Sequence, residues 1–195
     1  AVILAAGESR RMGRPKLLLP WGDGSTIIRE VCRKVAASGV SEIILVTGYK
    51  REEVVSQIAD LPVRVLYNPH YAEGEMLSSL QVGLKAISKA SHACLVVLGD
   101  QPAIEPEIIN RLLEAYYRGR GRIVAPFYRN QRGHPILIDK AFWQAIIELP
   151  EGAAPRDAIR ASEDEIYHVE VNSDSVLRDI DTPEDYHRAQ GTTGG

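Results

Sequence analysis

The chain has 195 residues, of which 45% are hydrophobic and 25% are charged, and its formal net charge is −3. These values fit one ordinary globular domain with a substantial core, and the slightly negative balance excludes a protein whose overall charge recruits nucleic acid. The sequence shows no signal peptide and no apolar run long enough to span a membrane, so we expect a cytoplasmic protein that binds neither membrane nor nucleic acid.

Strand and helix patterns alternate along the chain. Short, nearly continuous apolar runs predict strands covered on both faces, whereas apolar residues three and four positions apart predict helices with one buried face. In chain order, the patterns predict a strand that stops before Gly7, a helix around residues 27–35, a strand at 42–47, a helix around 54–58, a strand at 63–67, a helix at 76–87, a strand at 93–98, a helix around 108–116 and a strand at 123–125.

This alternation predicts an α/β fold, with a single three-layer αβα domain over residues 1–190 and a Rossmann-like, mainly parallel sheet. Residues 191–195, GTTGG, are predicted to form a disordered tail. Cys32 and Cys94 fall within apolar patterns and lack metal-ligand spacing, so we predict core thiols rather than a disulfide. Ligands of such sheets gather at the carboxyl ends of the strands, and a site is expected there.

The first sixteen residues, AVILAAGESRRMGRPK, contain the most specific pattern in the chain. A predicted strand ends at a glycine, and the loop that follows is rich in glycine and positive charge. Free backbone N–H groups, together with Arg10, Arg11 and Lys16, suit a polyphosphate. The loop is not a Walker A motif, because five residues separate Gly7 from Gly13, and it lacks the third glycine of a dinucleotide fingerprint. The alternative is an ordinary turn with solvated arginines.

Two acidic residues are candidate metal ligands. Asp100 follows the strand predicted at 93–98 and therefore faces the ligand crevice, and Mg²⁺ prefers carboxylate and phosphate oxygens. Asp181 directly precedes a helix that Thr182 and Pro183 are predicted to begin. Either aspartate could instead cap a helix. Asp179 is a weaker candidate for the metal.

Two further segments contain candidate binding residues. His134 lies in Arg132-Gly133-His134-Pro135, a setting that places it on a loop, and it is either a binding residue or part of a structural turn. Asn68 follows the third strand and is either a turn residue or an acceptor contact. In the same segment Gly74 permits a close turn, and Ser78 or Ser79 lies near a helix start.

The N-terminal loop resembles the signature loop of nucleotidyltransferases that attach a nucleoside monophosphate to a phosphorylated acceptor. Within these it is most similar to the molybdenum cofactor cytidylyltransferases, and further matches extend to Asp185. The resemblance implies a mixed sheet of the nucleotide-diphospho-sugar transferase type, Mg²⁺ as cofactor, and Asp100 and Asp181 as its ligands. It also implies that Lys16 and Asp100 are catalytic and that His134 binds the acceptor. The implied nucleotide-binding residues are Leu4, Ala5, Ala6, Gly7, Arg10, Arg11, Gly13, Lys16, Gly74 and Ser79.

The predicted reaction joins CTP to a molybdopterin-type phosphorylated cofactor and releases pyrophosphate. Cytidylyl members resemble this chain in having Leu-Ala-Ala-Gly, whereas guanylyl members usually have Leu-Ala-Gly-Gly, so the Ala6 methyl group is expected to narrow the base pocket. The alternatives are the same chemistry with GTP or another phosphorylated acceptor, a sugar-nucleotide enzyme of similar fold, and a non-catalytic chaperone that loads cofactor onto a molybdoenzyme.

Overall fold

Eight strands form one sheet in the computed structural model, which describes residues 1–73, 75–159 and 165–192. The order across the sheet is β5-β4-β1-β6-β9-β7-β10, and β8 pairs with β7. Strands β2 and β3 form a separate two-stranded hairpin. The bounds are β1 Val2–Ala5, β2 Pro20–Trp21, β3 Ser25–Thr26, β4 Ile44–Thr47, β5 Arg64–Tyr67, β6 Ala93–Leu98, β7 Ile123–Tyr128, β8 Gln131–Arg132, β9 Ile136–Asp139 and β10 Ile166–Glu170.

The sheet is mixed and mostly parallel, as predicted. Strand β1 lies between β4 and β6 and runs parallel to both, with Val2 opposite Ile44 on one side and Val96 on the other. Strand β9 is antiparallel to both of its neighbours, β6 and β7. The sequence patterns did not predict β9 or β10, which complete the half of the sheet beyond β6.

Helices cover both faces of the sheet, which confirms the three-layer prediction. Successive residues of β1 point to opposite faces, so Ile3 packs in the core that includes α1 and α4, whereas Val2 packs in the core that includes α3 and α5. The helices are α1 Ile27–Ala36, α2 Arg51–Ser56, α3 Glu75–Ala86, α4 Pro106–Tyr117, α5 Trp143–Ile147, α6 Pro155–Ile159 and α7 Pro183–Thr192.

The C-terminal helix begins where the sequence predicts, after Thr182. It continues through Thr192, so the first two residues of the predicted tail belong to the helix, and residues 193–195 lie outside the described residues. Cys32 and Cys94 are free and buried, which confirms the prediction of core thiols. Within the described ranges, no helix has the length and apolar character needed to cross a membrane. A cytoplasmic location stays a prediction.

The carboxyl ends of β1 and β6 lie side by side because Gly99 allows close contact. Its amide donates to the Leu4 carbonyl over 2.9 Å. A Cβ atom at position 99 would lie 2.7 Å from that carbonyl oxygen, closer than a side chain tolerates. Asp100 therefore follows β6 directly beside the loop that follows β1.

Candidate active site

The basic loop after β1 is held by its own backbone. Residues Arg10–Met12 form a short 3-10 helix between Ser9 and Gly13, which adopt φ values of 59° and 71°. The Ser9 carbonyl accepts hydrogen bonds from the amides of Met12 and Gly13, and the Ser9 hydroxyl accepts one from the Lys16 amide at 3.1 Å. The buried Met12 side chain anchors the loop in the core, whereas the Arg10 and Arg11 side chains are exposed to solvent.

Lys16 lies between the two aspartates that the sequence predicts as metal ligands. Its Nζ atom is 2.5 Å from Asp100 Oδ2 and 2.8 Å from Asp181 Oδ1. The lysine side chain is only 14% exposed. Residues separated by 84 and 165 positions thus meet at one point, and three of the predicted site residues form a single cluster.

The charges of this cluster influence one another. Burial lowers the pKa of Lys16, but the adjacent Asp100 and Asp181 outweigh it, so the pKa is raised above its usual value and the side chain is an ammonium ion. Desolvation and the negative charge of Asp100 raise the pKa of Asp179, although a hydrogen bond from Gln101 opposes this. The carboxylates therefore form a site that attracts cations.

Asp181 is not used to cap the helix it precedes. The cap of α7 is formed instead by Thr182 and Asp185. Asp185 Oδ2 accepts from the Thr182 amide at 3.0 Å, and the Thr182 hydroxyl accepts from the Asp185 amide at 3.2 Å. The Asp181 carboxylate is thus left to face Lys16 and Arg11.

Asp100 does not cap a helix either. Helix α4 begins at Pro106, with Glu105 preceding it. Asp100 Oδ1 is buried and has no hydrogen-bond partner among the described residues. In the described part of the chain, no three His, Cys, Asp or Glu side chains form a metal-binding group. Two carboxylates with a free oxygen fit Mg²⁺, which completes its shell with water and substrate phosphate.

The structure distinguishes the two neighbouring arginines. Arg11 contacts Asp181 Oδ2 at 2.9 Å, whereas Arg10 turns away and pairs with Glu8 at 2.6 Å. Both side chains are more than 70% exposed. Arg11 therefore lies at the cluster, and Arg10 does not in this conformation.

Asn68, which the sequence predicts to be either a turn residue or an acceptor contact, lies in the segment between β5 and α3. Asn68 is fully buried. Its amide nitrogen donates to the hydroxyls of Ser78 and Ser79, and its side-chain oxygen accepts from the His70 amide at 3.0 Å. The side chain thus fixes the loop, and contact of Asn68 with the acceptor stays a prediction. Ser79 is also buried, and Gly74 lies outside the described residues.

The segment from Leu4 to Gly7 contains the end of β1 and leads directly into the basic loop. The Leu4 and Ala6 carbonyls are engaged by the amides of Gly99 and Tyr49. Ala5 and Ala6 are at most 6% exposed, while the space where a Gly7 side chain would project is open. Because Gly7 has no side chain, this space beside the backbone at the end of β1 stays open.

His134 precedes β9, the strand that pairs with β6, and Asp100 follows β6 at the same edge of the sheet. Its amide donates to the Val176 carbonyl at 2.9 Å, and its Nδ1 atom is buried without a hydrogen-bond partner among the described residues. Burial lowers the pKa of His134, and Asp100 and the Val96 backbone only partly offset this. The imidazole is neutral near pH 7.

One supporting residue was not found from the sequence. Gln101 is 2% exposed, and its amide nitrogen donates to Asp179 Oδ1 at 2.5 Å. The amide of Ile180 also donates to the Asp100 carbonyl at 3.1 Å. These bonds hold the chain before α7 against the end of β6. The position of Gln101 beside Asp100 was the only available signal for its role.

Fold and site together define a nucleotidyltransferase. The structure is similar to a nucleotidyl transferase from Methanothermobacter thermautotroptrophicus, with a TM-score of 0.81 and 27% identity, covering 98% of this chain and 95% of that one. The chain belongs to the family of MobA-like NTP transferases, whose domain model matches residues 1–166. This confirms the family predicted from the sequence.

Two relatives match over nearly the full chain. The molybdenum cofactor cytidylyltransferase of Escherichia coli strain K12 is 33% identical over 190 residues, which cover 97% of this chain and 94% of the relative. The nicotine blue oxidoreductase of Paenarthrobacter nicotinovorans is 31% identical over 196 residues, which cover 96% of this chain and 94% of that relative. Relatives with these two names show that similarity alone does not define the reaction.

Proposed function

We propose that the protein transfers CMP from CTP to the phosphate of a molybdopterin-type cofactor, giving a cytidine dinucleotide and pyrophosphate. An oxygen of the acceptor phosphate forms a bond to the α-phosphorus, and the bond from that phosphorus to the oxygen bridging to the β-phosphorus breaks. The electron pair of the broken bond leaves with pyrophosphate. We expect the product to serve a molybdoenzyme.

The observation that supports this proposal is the convergence of Lys16 with Asp100 and Asp181. In nucleotidyl transfer the protein mainly positions the reacting groups and stabilises charge. Lys16 lies at the end of the basic loop and can turn from the carboxylates to the α-phosphate. Arg11, which contacts the same cluster, is then suited to hold the leaving pyrophosphate.

Asp100 and Asp181 are the residues that would hold Mg²⁺. Its chemistry in this site would be to offset the charge of the triphosphate. Asp100 Oδ1 has no hydrogen-bond partner within the described ranges, and Lys16 Nζ lies between both carboxylates. Both observations support this role, because the site already accommodates a cation.

The acceptor needs no general base. A phosphate monoester has a second pKa near 6 and is largely a dianion at pH 7, so its oxygen attacks without losing a proton to the protein. We propose that His134, neutral near pH 7, helps to bind the acceptor and takes no proton in the reaction.

The preference for CTP rests on Ala6. The residue is 6% exposed at the end of β1, and its methyl group occupies space that a glycine would leave to a larger base. One group of this size discriminates by only about 1–3 kcal/mol, so the proposal is a preference for CTP over GTP rather than an absolute selection.

Product analysis tests this function. The protein is incubated with Mg²⁺, molybdopterin and each of the four nucleoside triphosphates, and pyrophosphate and product mass are measured. We expect pyrophosphate with CTP and a product heavier by CMP less water. The result distinguishes transfer from the reduction chemistry that the name of one relative suggests, because only transfer releases pyrophosphate. No pyrophosphate with any triphosphate would contradict the proposal.

A further inference from the structure

Helix α7 follows Asp181, and one of its side chains anchors it to the rest of the protein. Over residues 183–190, where the structure describes the side chains, Tyr186 is the one buried residue and is 5% exposed. It packs in the core that includes α1 and α4. On the other side of Asp181, the chain is anchored by Ile180, which is 2% exposed. Asp181 is therefore held from two sides, and Tyr186 is its anchor on the side of the helix.

The Tyr186 hydroxyl joins α7 to the segment that contains Lys16. It donates to the Pro20 carbonyl at 2.7 Å, and Pro20 begins β2 four positions after Lys16. The same hydroxyl accepts from Gln190 Nε2 at 2.7 Å, one turn further along α7. Because a phenolic hydroxyl has a single hydrogen, the bond from Gln190 leaves that hydrogen for Pro20. The direction of the Tyr186 hydroxyl is thus fixed.

The Tyr186 ring contacts the same segment on the other side of Lys16. The guanidinium carbon of Arg14 lies 5.9 Å from the centre of the ring, which is within the range of a cation–π contact. Arg14 precedes Lys16 by two positions. Lys16 therefore lies in the chain between Arg14 and Pro20, and both of these residues contact Tyr186.

The segment around Lys16 is itself firmly attached to the core. Leu17 and Leu19 are each 6% exposed, and the Lys16 amide donates to the Ser9 hydroxyl at 3.1 Å. Contacts of Tyr186 with this segment therefore determine where the start of α7 lies. They set the position of Asp181, whose Oδ1 atom is 2.8 Å from Lys16 Nζ. A displacement of reacting groups by about 1 Å can lower a rate by about 10²-fold, so this placement matters for the proposed reaction.

We infer that Tyr186 is a positioning residue, whose hydroxyl and ring hold Asp181 beside Lys16. The inference rests on the proposed function, because that function gives the cluster of Lys16, Asp100 and Asp181 its role in nucleotidyl transfer. Tyr186 acts through Asp181 and Lys16. A residue that only stabilised the fold would lower Tm when it is replaced, without a specific effect on the ion pair between Lys16 and Asp181.

Hydrogen exchange of the Lys16 ammonium group tests this arrangement by NMR, without nucleotide, metal or turnover. In isotope-labelled protein, the side-chain signal of Lys16 is assigned by its loss in Lys16→Met. We expect this group to exchange with water more slowly than exposed lysines do, because two carboxylates hold it. Tyr186→Phe removes only the hydroxyl and should raise the exchange rate about fivefold, as for one lost hydrogen bond. An exchange rate that Tyr186→Phe leaves unchanged would overturn the inference.

Tyr116→Phe provides the matched control. The Tyr116 hydroxyl lies 2.7 Å from Asp139 Oδ2 and 3.1 Å from the His92 carbonyl oxygen. Asp139 is paired with Ala93 at the amino end of β6, whereas Asp100 follows the carboxyl end. Both substitutions should lower Tm by about 2–4 °C, but only Tyr186→Phe should accelerate exchange at Lys16. Equal acceleration in both variants would mean that lost stability explains the effect and that the inference is wrong.

Pyrophosphate release tests whether the arrangement serves the reaction. Tyr186→Phe should lower kcat about fivefold and change KM for CTP less than about twofold, and Tyr116→Phe should leave both near the wild-type values. In a Lys16→Met protein, the further change Tyr186→Phe should lower kcat less than about twofold, because substitutions that act on one arrangement are not additive. Additive losses, or a wild-type kcat in Tyr186→Phe, would overturn the positioning role. The expected exchange rates in a protein that releases no pyrophosphate would contradict the proposed function and support the placement of Asp181 by Tyr186.

Discussion

Replacing Lys16 with methionine is expected to weaken catalysis while strengthening the binding of a divalent cation to the free protein. Methionine has a similar length but no charge. Lys16 Nζ lies 2.5 Å and 2.8 Å from the oxygens of Asp100 and Asp181 that would hold the metal. Because one position between these oxygens cannot hold both cations, the ammonium group and the metal compete for it.

The structure also bounds the loss of folding stability that Lys16→Met causes. Two unit charges about 4 Å apart attract by about 4 kcal/mol at an effective dielectric constant of 20, and desolvation cancels part of this. The Lys16, Asp100 and Asp181 side chains are 14%, 18% and 26% exposed. We therefore expect Lys16→Met to cost about 2–3 kcal/mol, somewhat below the range for a fully buried pair, and to lower Tm by roughly 4–12 °C.

Magnesium should reverse the loss of stability but not the loss of activity. A ligand at one hundred times its Kd stabilises the folded state by about 2.7 kcal/mol, which is comparable to the expected cost. Turnover should still fall by about 10²- to 10³-fold, because charge on the transition state is no longer offset. Thermal denaturation with and without MgCl₂, a Mn²⁺ titration followed by electron paramagnetic resonance, and pyrophosphate release measure the three effects.

Lys34→Met is the control for this experiment. Lys34 is also partly buried, lies 3.5 Å from Glu30 and donates to the Pro102 carbonyl at 2.7 Å, outside the carboxylate cluster. Its substitution should lower Tm without recovery in Mg²⁺ and with turnover near the wild-type value. A Lys16→Met protein that binds Mn²⁺ no more tightly than the wild type would refute the proposed competition.

Three further substitutions have defined outcomes. Ala6→Gly should reduce the ratio of kcat/KM for CTP over GTP, and a wild-type protein that favours GTP would contradict the role of Ala6. His134→Ala should raise KM for the acceptor while leaving Kd for CTP unchanged by calorimetry; an equal loss for CTP would place His134 on the nucleotide side. Asp179→Asn should raise Tm at pH 7. Because the pKa of Asp179 is raised in the folded state, this residue stabilises the folded protein at acidic pH. That contribution is lost as pH rises from about 4, the usual aspartate pKa, through the pKa of the folded state. A difference in Tm between the variant and the wild type that stays constant from pH 4 to 7 would contradict this prediction.

The carboxylate cluster could be predicted because each of its members follows a local signal. Asp100 ends an apolar run, Asp181 precedes a Thr-Pro helix start, and Lys16 closes a glycine-bounded basic loop. Parallel strands bring such ends to one edge of a sheet. The capping alternative for Asp181 could not be excluded from the sequence, because the sequence does not show which side chain bonds to the free amides at the start of α7. In the structure, Asp185 accepts from the Thr182 amide.

Other features depend on contacts that the sequence does not reveal. Two adjacent arginines in one loop give the same local signal, so the sequence does not reveal that Arg11 contacts Asp181 while Arg10 pairs with Glu8. The role of Asn68 depends on its burial against the start of α3, where it binds two serine hydroxyls. Strand β9 was missed because its four residues form a short apolar run, and such a run does not encode antiparallel pairing with β6 and β7.

Pyrophosphate release by the Asp100→Asn protein tests the account most directly. The substitution preserves the size of the side chain and removes the charge that faces Lys16 and would hold the metal. With CTP, molybdopterin and saturating Mg²⁺, we expect turnover at least about 10²-fold below wild type, with an unchanged circular dichroism spectrum. Turnover near the wild-type value in a folded Asp100→Asn protein would contradict the metal site and the mechanism built on it.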